Sequence, residues 1–289
     1  MRRRMAAATV MICLFLSGCG DRSAHRPVSA SYLDTVDIDS QALGKMKHAA
    51  VYVPPGYDPK REYPVLYALY GYGGTRDSVF SLMGLNRVAD RLIAEGKIKP
   101  LLIVSPDYGQ SFGVNTTPGQ GVKPPGVDEG RYEDYLIKEL IPQIDRTYST
   151  HSQRSGRMLA GFSMGGFASL YLGFRHADLF SRVGGHSAAI WDYGAEDDYI
   201  DQRDWLYPSE PLRNERDPFR LAVSRDLSGI AVYLDAGAED GLAGVDEKLY
   251  RLLRQTGVAA EWHTWPGGHA VSYWTGHFAD YLQFYAGQS

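Results

Sequence analysis

The chain reads as an α/β domain with a mostly parallel central sheet and helices on both faces. Three observations predict this. The length of 289 residues suits one such domain better than two large ones. Several short apolar runs are continuous rather than alternating, as strands buried on both faces should be. Between them lie segments with apolar residues at i, i+3 and i+4, and that alternation implies βα units.

Composition narrows the classes further. Apolar residues make up 44% and charged residues 22%, which excludes a fibrous or wholly disordered chain. Thirty basic against 34 acidic residues leave a net charge of −4, with no Lys/Arg cluster beyond the first four residues. Nucleic acid is therefore not expected as a partner.

The chain opens with Arg2-Arg3-Arg4 and an apolar run from Met5 to Leu16. That run is too short for a helix crossing a bilayer core of roughly 30 Å, but it suits a signal peptide. It ends at Leu16-Ser17-Gly18-Cys19, which resembles the lipobox of bacterial lipoproteins. The expectation is a signal peptide over 1–18, a lipidated Cys19 opening a flexible tether over 19–33, and a folded domain over 34–289. An ordinary secretory signal cleaved nearby is the alternative; both readings export the protein, and the lipobox reading places it in the bacterial cell envelope. With Cys19 lipidated the protein is anchored to a membrane, and Gly20 in place of aspartate hints at the outer one. Removing Cys13 and acylating Cys19 leaves the domain without a thiol, hence without a disulfide or a thiolate metal site.

Within the domain, residues 36–38 and 49–53 read as an opening hairpin closed by Pro54-Pro55-Gly56-Tyr57. Residues 63–70, 101–104, 157–160, 230–234 and 261–265 read as strands. Helical patterns occupy 85–94, 132–148, 167–174, 245–253 and 274–285. Residues 108–130 and 191–218 show no clean period and read as long loops, which in a compact domain are usually lids or binding loops.

The chemistry centres on Gly161-Phe162-Ser163-Met164-Gly165-Gly166, between a strand and a helix. Glycines flanking a sharp strand-to-helix turn remove the Cβ atoms that would clash, and Ser163 is then exposed at a helix N-terminus. A serine hydroxyl needs a base to take its proton, and the base needs a third group to orient it. After strand 230–234 comes a polar loop with three acids, Asp235, Glu239 and Asp240, the first of which arrives early to reach a histidine. Pro266-Gly267-Gly268-His269 follows strand 261–265, and His269 is the histidine in a strand-exit loop after the acids. His186 is its rival. The oxyanion hole calls for two amides, assigned to Met164 and to Tyr72 of the turn Gly71-Tyr72-Gly73-Gly74. No H-E-x-x-H, Cys cluster or D-x-D-x-D-G loop occurs, so neither metal nor cofactor is expected.

These residues resemble the putative-esterase family of α/β-hydrolases. It includes feruloyl and acetylxylan esterases, S-formylglutathione hydrolase, enterochelin esterases and the antigen 85 mycolyltransferases. The resemblance spans 36–285 and rests on the serine turn, on Val51-Tyr52-Val53-Pro54-Pro55-Gly56-Tyr57, on Glu139-Leu140-Ile141-Pro142 and on Gly267-Gly268-His269. It implies the α/β-hydrolase fold, with Ser163 as nucleophile, Asp240 as acid and His269 as base. One departure is Tyr70-Gly71, where many members carry His-Gly.

The expected function is an exported serine carboxylic-ester hydrolase acting through an acyl-enzyme. Twenty Tyr and five Trp suit acylated-sugar or aromatic acyl esters as substrates. Export argues against the cytosolic S-formylglutathione task. Two rivals are an acyltransferase of the mycolyltransferase type and a non-catalytic binding lipoprotein on the same fold.

Overall fold

The structure is a computed structural model, and it describes residues 30–191 and 200–287. The expected signal peptide, Cys19 and most of the tether lie outside the described residues.

Eight strands form one sheet in the order β1-β2-β4-β3-β5-β6-β7-β8. The hairpin β1 (Tyr32–Ser40) and β2 (Lys45–Val53) is antiparallel and also joins β4 (Leu102–Pro106) antiparallel. From β4 across β3 (Val65–Leu69), β5 (Arg157–Phe162), β6 (Arg182–His186), β7 (Ala231–Gly237) and β8 (Ala259–Trp265), every pairing is parallel. β3 through β5 are buried at every position, as the continuous apolar runs require.

Strand bounds differ from the sequence reading by a few residues, and two differences stand out. β1 begins at Tyr32, so the last two tether positions already pair with β2. β6 is not visible as an apolar run because Gly184 and Gly185 occupy its centre. Packing demands them: a Cβ on Gly184 would run into the Tyr285 hydroxyl, and one on Gly185 would press on Leu170 and Leu234.

Helices cover both faces. α1 (Leu85–Ala94) buries Leu85, Ala89 and Leu92 on one stripe. The expected helix over 132–148 runs as α2 (Tyr132–Asp134), a π-helical stretch (Tyr135–Leu140) and α3 (Ile141–Thr147). α4 (Met164–Arg175) starts immediately after Ser163 and is buried from Met164 to Phe174, making it the central helix of the core.

The stretch 191–218 is not a plain loop. Its described part holds α5 (Ile200–Leu206) and α6 (Glu210–Arg216), followed by α7 (Pro218–Ser224). Seven-residue helices are too short to display a period. Local capping holds α6 and α7 instead: Ser209 accepts from the Leu212 amide and Asp217 from the Phe219 amide, with proline in each first turn. By contrast, 108–130 is irregular throughout. α8 (Ala243–Gln255) precedes β8, and the last predicted helix is two: α9 (Val271–Gly276) and α10 (Phe278–Ala286).

Candidate active site

Ser163 links β5 to α4 with φ 56° and ψ −116°, a backbone region that L-residues rarely occupy. The neighbours hold it there. Its N–H donates to His186 O at 3.0 Å, and its carbonyl accepts from Phe167 N–H at 3.1 Å and Ala189 N–H at 3.0 Å. A Cβ on Gly161 would strike the Gly165 carbonyl, and one on Gly165 the Leu69 carbonyl. Those two glycines are what the turn requires.

Three side chains then line up. His269 Nε2 lies 2.8 Å from Ser163 Oγ, and His269 Nδ1 lies 3.0 Å from Asp240 Oδ2. The imidazole is 37% exposed while the Asp240 side chain is 1% exposed, so the ring faces solvent and the acid does not. Burial works against the Asp240 charge, yet bonds from His269, the Leu242 amide and the Ser187 hydroxyl hold its carboxyl below the usual range. Trp274 stands edge-on to the imidazole, centroids 5.2 Å apart, and donates its indole N–H to Ser187 Oγ at 3.1 Å.

The three acids of the strand-exit loop separate cleanly. Asp240 faces His269. Glu239 instead takes the Gly267 amide on its carboxylate and donates its own amide to Gly267 O at 2.9 Å. Asp235 is wholly buried and bonds His186 Nδ1 at 2.6 Å and Tyr281 Oη at 2.6 Å.

That last pairing removes His186 as a rival base. Its imidazole has no solvent exposure, stacks on Tyr281 at 3.8 Å and meets Tyr285 Oη at 3.2 Å through Nε2. It serves the site through its backbone carbonyl, which takes the Ser163 amide. His186 is the last residue of β6, and its side chain points into the core.

The turn Gly71–Gly74 sits beside Ser163: a Cβ on Gly71 would lie 3.4 Å from Ser163 Cβ. Gly74 N–H closes the turn on Gly71 O at 3.0 Å, and Gly73 adopts φ +78°. Tyr72 is 44% exposed, with its phenol donating to Pro125 O at 3.0 Å. Met164 is the first residue of α4, where amides have no intrahelical acceptor. The Tyr70-Gly71 departure also has a structural account. Tyr70 Oη accepts from Tyr108 N–H at 3.1 Å, and Tyr108 Oη donates to Tyr70 O at 2.5 Å, tying the end of β3 to the strand-exit loop of β4.

Sequence reasoning missed several supports. Ser187 adopts φ 47° beside Asp240, and nothing in its local sequence marks it. Asp246 on α8 is fully buried, accepts from Ala188 N–H at 2.8 Å through Oδ2, and leaves Oδ1 without a partner. Among the described residues, no three His, Cys, Asp or Glu side chains converge as a metal site would need, and no helix is long and apolar enough to cross a membrane. A cleft of about 780 Å³ lined by Arg182, Ala231 and Ala259 lies at the strand starts, the opposite sheet edge from Ser163.

The strand order and the serine at the carboxyl edge of β5 define an α/β-hydrolase fold. Residues 40–285 match the family model described as "Putative esterase", and the chain belongs to that family. Among curated proteins it is 33% identical over 167 residues, 55% of this chain, to an endo-1,4-beta-xylanase/feruloyl esterase of Xylanibacter ruminicola. It is 26% identical over 279 residues, 87% of this chain, to an esterase of Mycobacterium tuberculosis. The aligned parts are only 22% and 59% of those two proteins. Among solved structures, a ferulic acid esterase superposes with TM-score 0.73 at 25% identity, covering 89% of this chain and 98% of that one. An Anaeromyces mucronatus ferulic acid esterase in complex with ferulic acid superposes with TM-score 0.69 at 24% identity, covering 92% and 95%.

Proposed function

We propose that the protein is an exported serine carboxylic-ester hydrolase that works through an acyl-enzyme. The observation that carries this reading is the alignment of Ser163 Oγ, His269 and Asp240 at 2.8 and 3.0 Å, with the serine at a helix start.

The chemistry follows from the geometry. His269 Nε2 takes the Ser163 proton as Oγ attacks the ester carbonyl, forming a tetrahedral oxyanion. Asp240, hydrogen-bonded to Nδ1, favours the tautomer with Nε2 unprotonated and stabilises the imidazolium that forms. The Tyr72 and Met164 amides hold the oxyanion. Collapse passes the proton from His269 to the leaving alcohol and leaves an acyl-serine. Water, deprotonated by the same imidazole, then releases the acid and restores Ser163.

Aromatic acyl esters on sugars are the substrate class we favour. Its support is the feruloyl and ferulic acid esterases among the relatives. Export and anchoring through a lipidated Cys19 rest on the Arg2-Arg3-Arg4, apolar run and Leu16–Cys19 pattern. The test is a panel of p-nitrophenyl and feruloyl esters with the purified domain, repeated with glycerol or trehalose as acceptor. Ser163-dependent release of free acid supports hydrolysis. Acyl glycerol or acyl trehalose as the main product would replace it with acyl transfer, and no turnover with any ester would leave a binding protein.

A further inference from the structure

The long stretch 108–130 after β4 reads from sequence as a lid or binding loop, and the mechanism above leaves most of it unused. Its first part does something specific. The Gln110 carboxamide accepts from Gly73 N–H through Oε1 at 2.7 Å and donates through Nε2 to Gly74 O at 3.2 Å. Those two partners, one donor and one acceptor, fix which way the amide faces. The side chain thus stands in for a strand neighbour along the outer half of the Gly71–Gly74 turn.

Gln110 is itself held. Its amide donates to Asp128 Oδ2 at 2.7 Å, and Asp128 N–H donates back to Gln110 O at 3.2 Å. Gly109 adopts φ +60°, and a Cβ there would collide with the Asp128 carboxylate, so only glycine lets the two strands of the loop close this way. The Tyr70–Tyr108 exchange anchors the same loop to the base of the turn just before.

The consequence appears in the amides after Gly71. The Gly73 amide is taken by Gln110, and the Gly74 amide closes the turn on Gly71 O. The Tyr72 amide meets no acceptor among the described residues. We propose that Gln110 is a positioning residue for the oxyanion hole: it clamps Gly73 and Gly74 so that, of the three amides after Gly71, Tyr72 N–H is the uncommitted donor, held in place beside Ser163. The proposal rests on the reading of Tyr72 and Met164 as the oxyanion donors.

A donor aimed in advance stabilises the oxyanion without reorganising during the reaction. Loosening it therefore weakens the transition state more than the bound ester. Losing an oxyanion donor outright costs about 10²–10³ in kcat, and losing its clamp should cost about 10–100-fold. The experiment uses Gln110→Ala and the isosteric Gln110→Glu, whose carboxylate can accept from Gly73 but only repels the Gly74 carbonyl. Wild type and Ser163→Ala are assayed beside them on one ester of the panel. Expected for both variants is a fall in kcat/KM of that size carried by kcat, with KM within about threefold. Phenylboronic acid, which adds to the serine as a tetrahedral adduct, should bind more weakly by a similar factor, with the midpoint of the pH–rate profile unmoved. A merely structural role would instead lower the melting temperature and leave the kcat and boronate losses uncorrelated. If Gln110→Ala fails to fold, Gln110→Glu decides alone. Folded variants within threefold of wild type, or a loss carried by KM with boronate affinity unchanged, would overturn the clamp. A wild type whose turnover survives Ser163→Ala would overturn the esterase mechanism instead.

Discussion

Glu239 and Asp240 are adjacent in sequence and grip the His269 loop from different sides. Asp240 meets the imidazole at 3.0 Å, while Glu239 holds the backbone of Gly267, two residues before it. One orients the ring and the other anchors the loop that carries it.

This division predicts unequal mutants. Asp240→Asn keeps the size but can hold the imidazole in the wrong tautomer, an effect of up to ~10⁴ in kcat. Esterase assays should show a fall of at least about two orders of magnitude with normal folding. Glu239→Gln keeps an acceptor for Gly267 and should stay within about tenfold. The reverse ranking would move the acid to Glu239.

Ser163 is also a strained residue, and that can be tested apart from catalysis. Both Ser163→Ala and Ser163→Gly should lose turnover except for a small residual rate. Only glycine relaxes the φ of 56°. Backbone strain of this kind costs roughly 1–3 kcal/mol, so denaturant unfolding should find Ser163→Gly at least as stable as Ser163→Ala. A clearly less stable glycine variant would show that the turn is not strained. A fluorophosphonate probe should label Ser163 and no other serine.

Asp246 predicts a pH dependence of stability. Burial, with Asp240 and Asp235 nearby, pushes its carboxyl well above the usual value of 3.8. The folded state therefore binds this proton more tightly than the unfolded chain does. The stabilisation is complete below 3.8 and is lost as pH rises toward the folded value. Asp246→Asn cannot ionise, so its melting temperature should exceed that of wild type increasingly as pH rises above 3.8. Parallel melting curves across pH would contradict this.

Cys19→Ser should leave the enzyme active and move it from the membrane fraction to a soluble one. A multiply acylated cysteine anchors stably, whereas a serine carries no chain. Unchanged fractionation would mean that the Leu16–Cys19 pattern is not a lipidation site.

Much of the fold was legible because its signals are local. Continuous apolar runs mark strands buried on both faces, and β3, β4, β5 and β7 fall where those runs lie. The glycines around Ser163 mark a turn that few other residues tolerate, and Pro266-Gly267-Gly268 marks the exit of β8. The strand β6 shows no apolar run, and the helices α5 and α6 escaped. The first is diluted by glycines that a neighbouring tyrosine requires, and the others are too short for a period.

The sequence by itself determined the residue types of the site and the strand exits that present them, because backbone turn chemistry is written within a few residues. Tertiary structure alone decided which of Asp235, Glu239 and Asp240 faces His269, and that His186 turns inward to Asp235. It also brought Gln110 to the Gly71–Gly74 turn, 36 residues away in sequence from Gly74. The physical reason is range. A propensity acts over a few neighbours, whereas side-chain direction and hydrogen-bond partnership depend on groups that meet only when the sheet has closed.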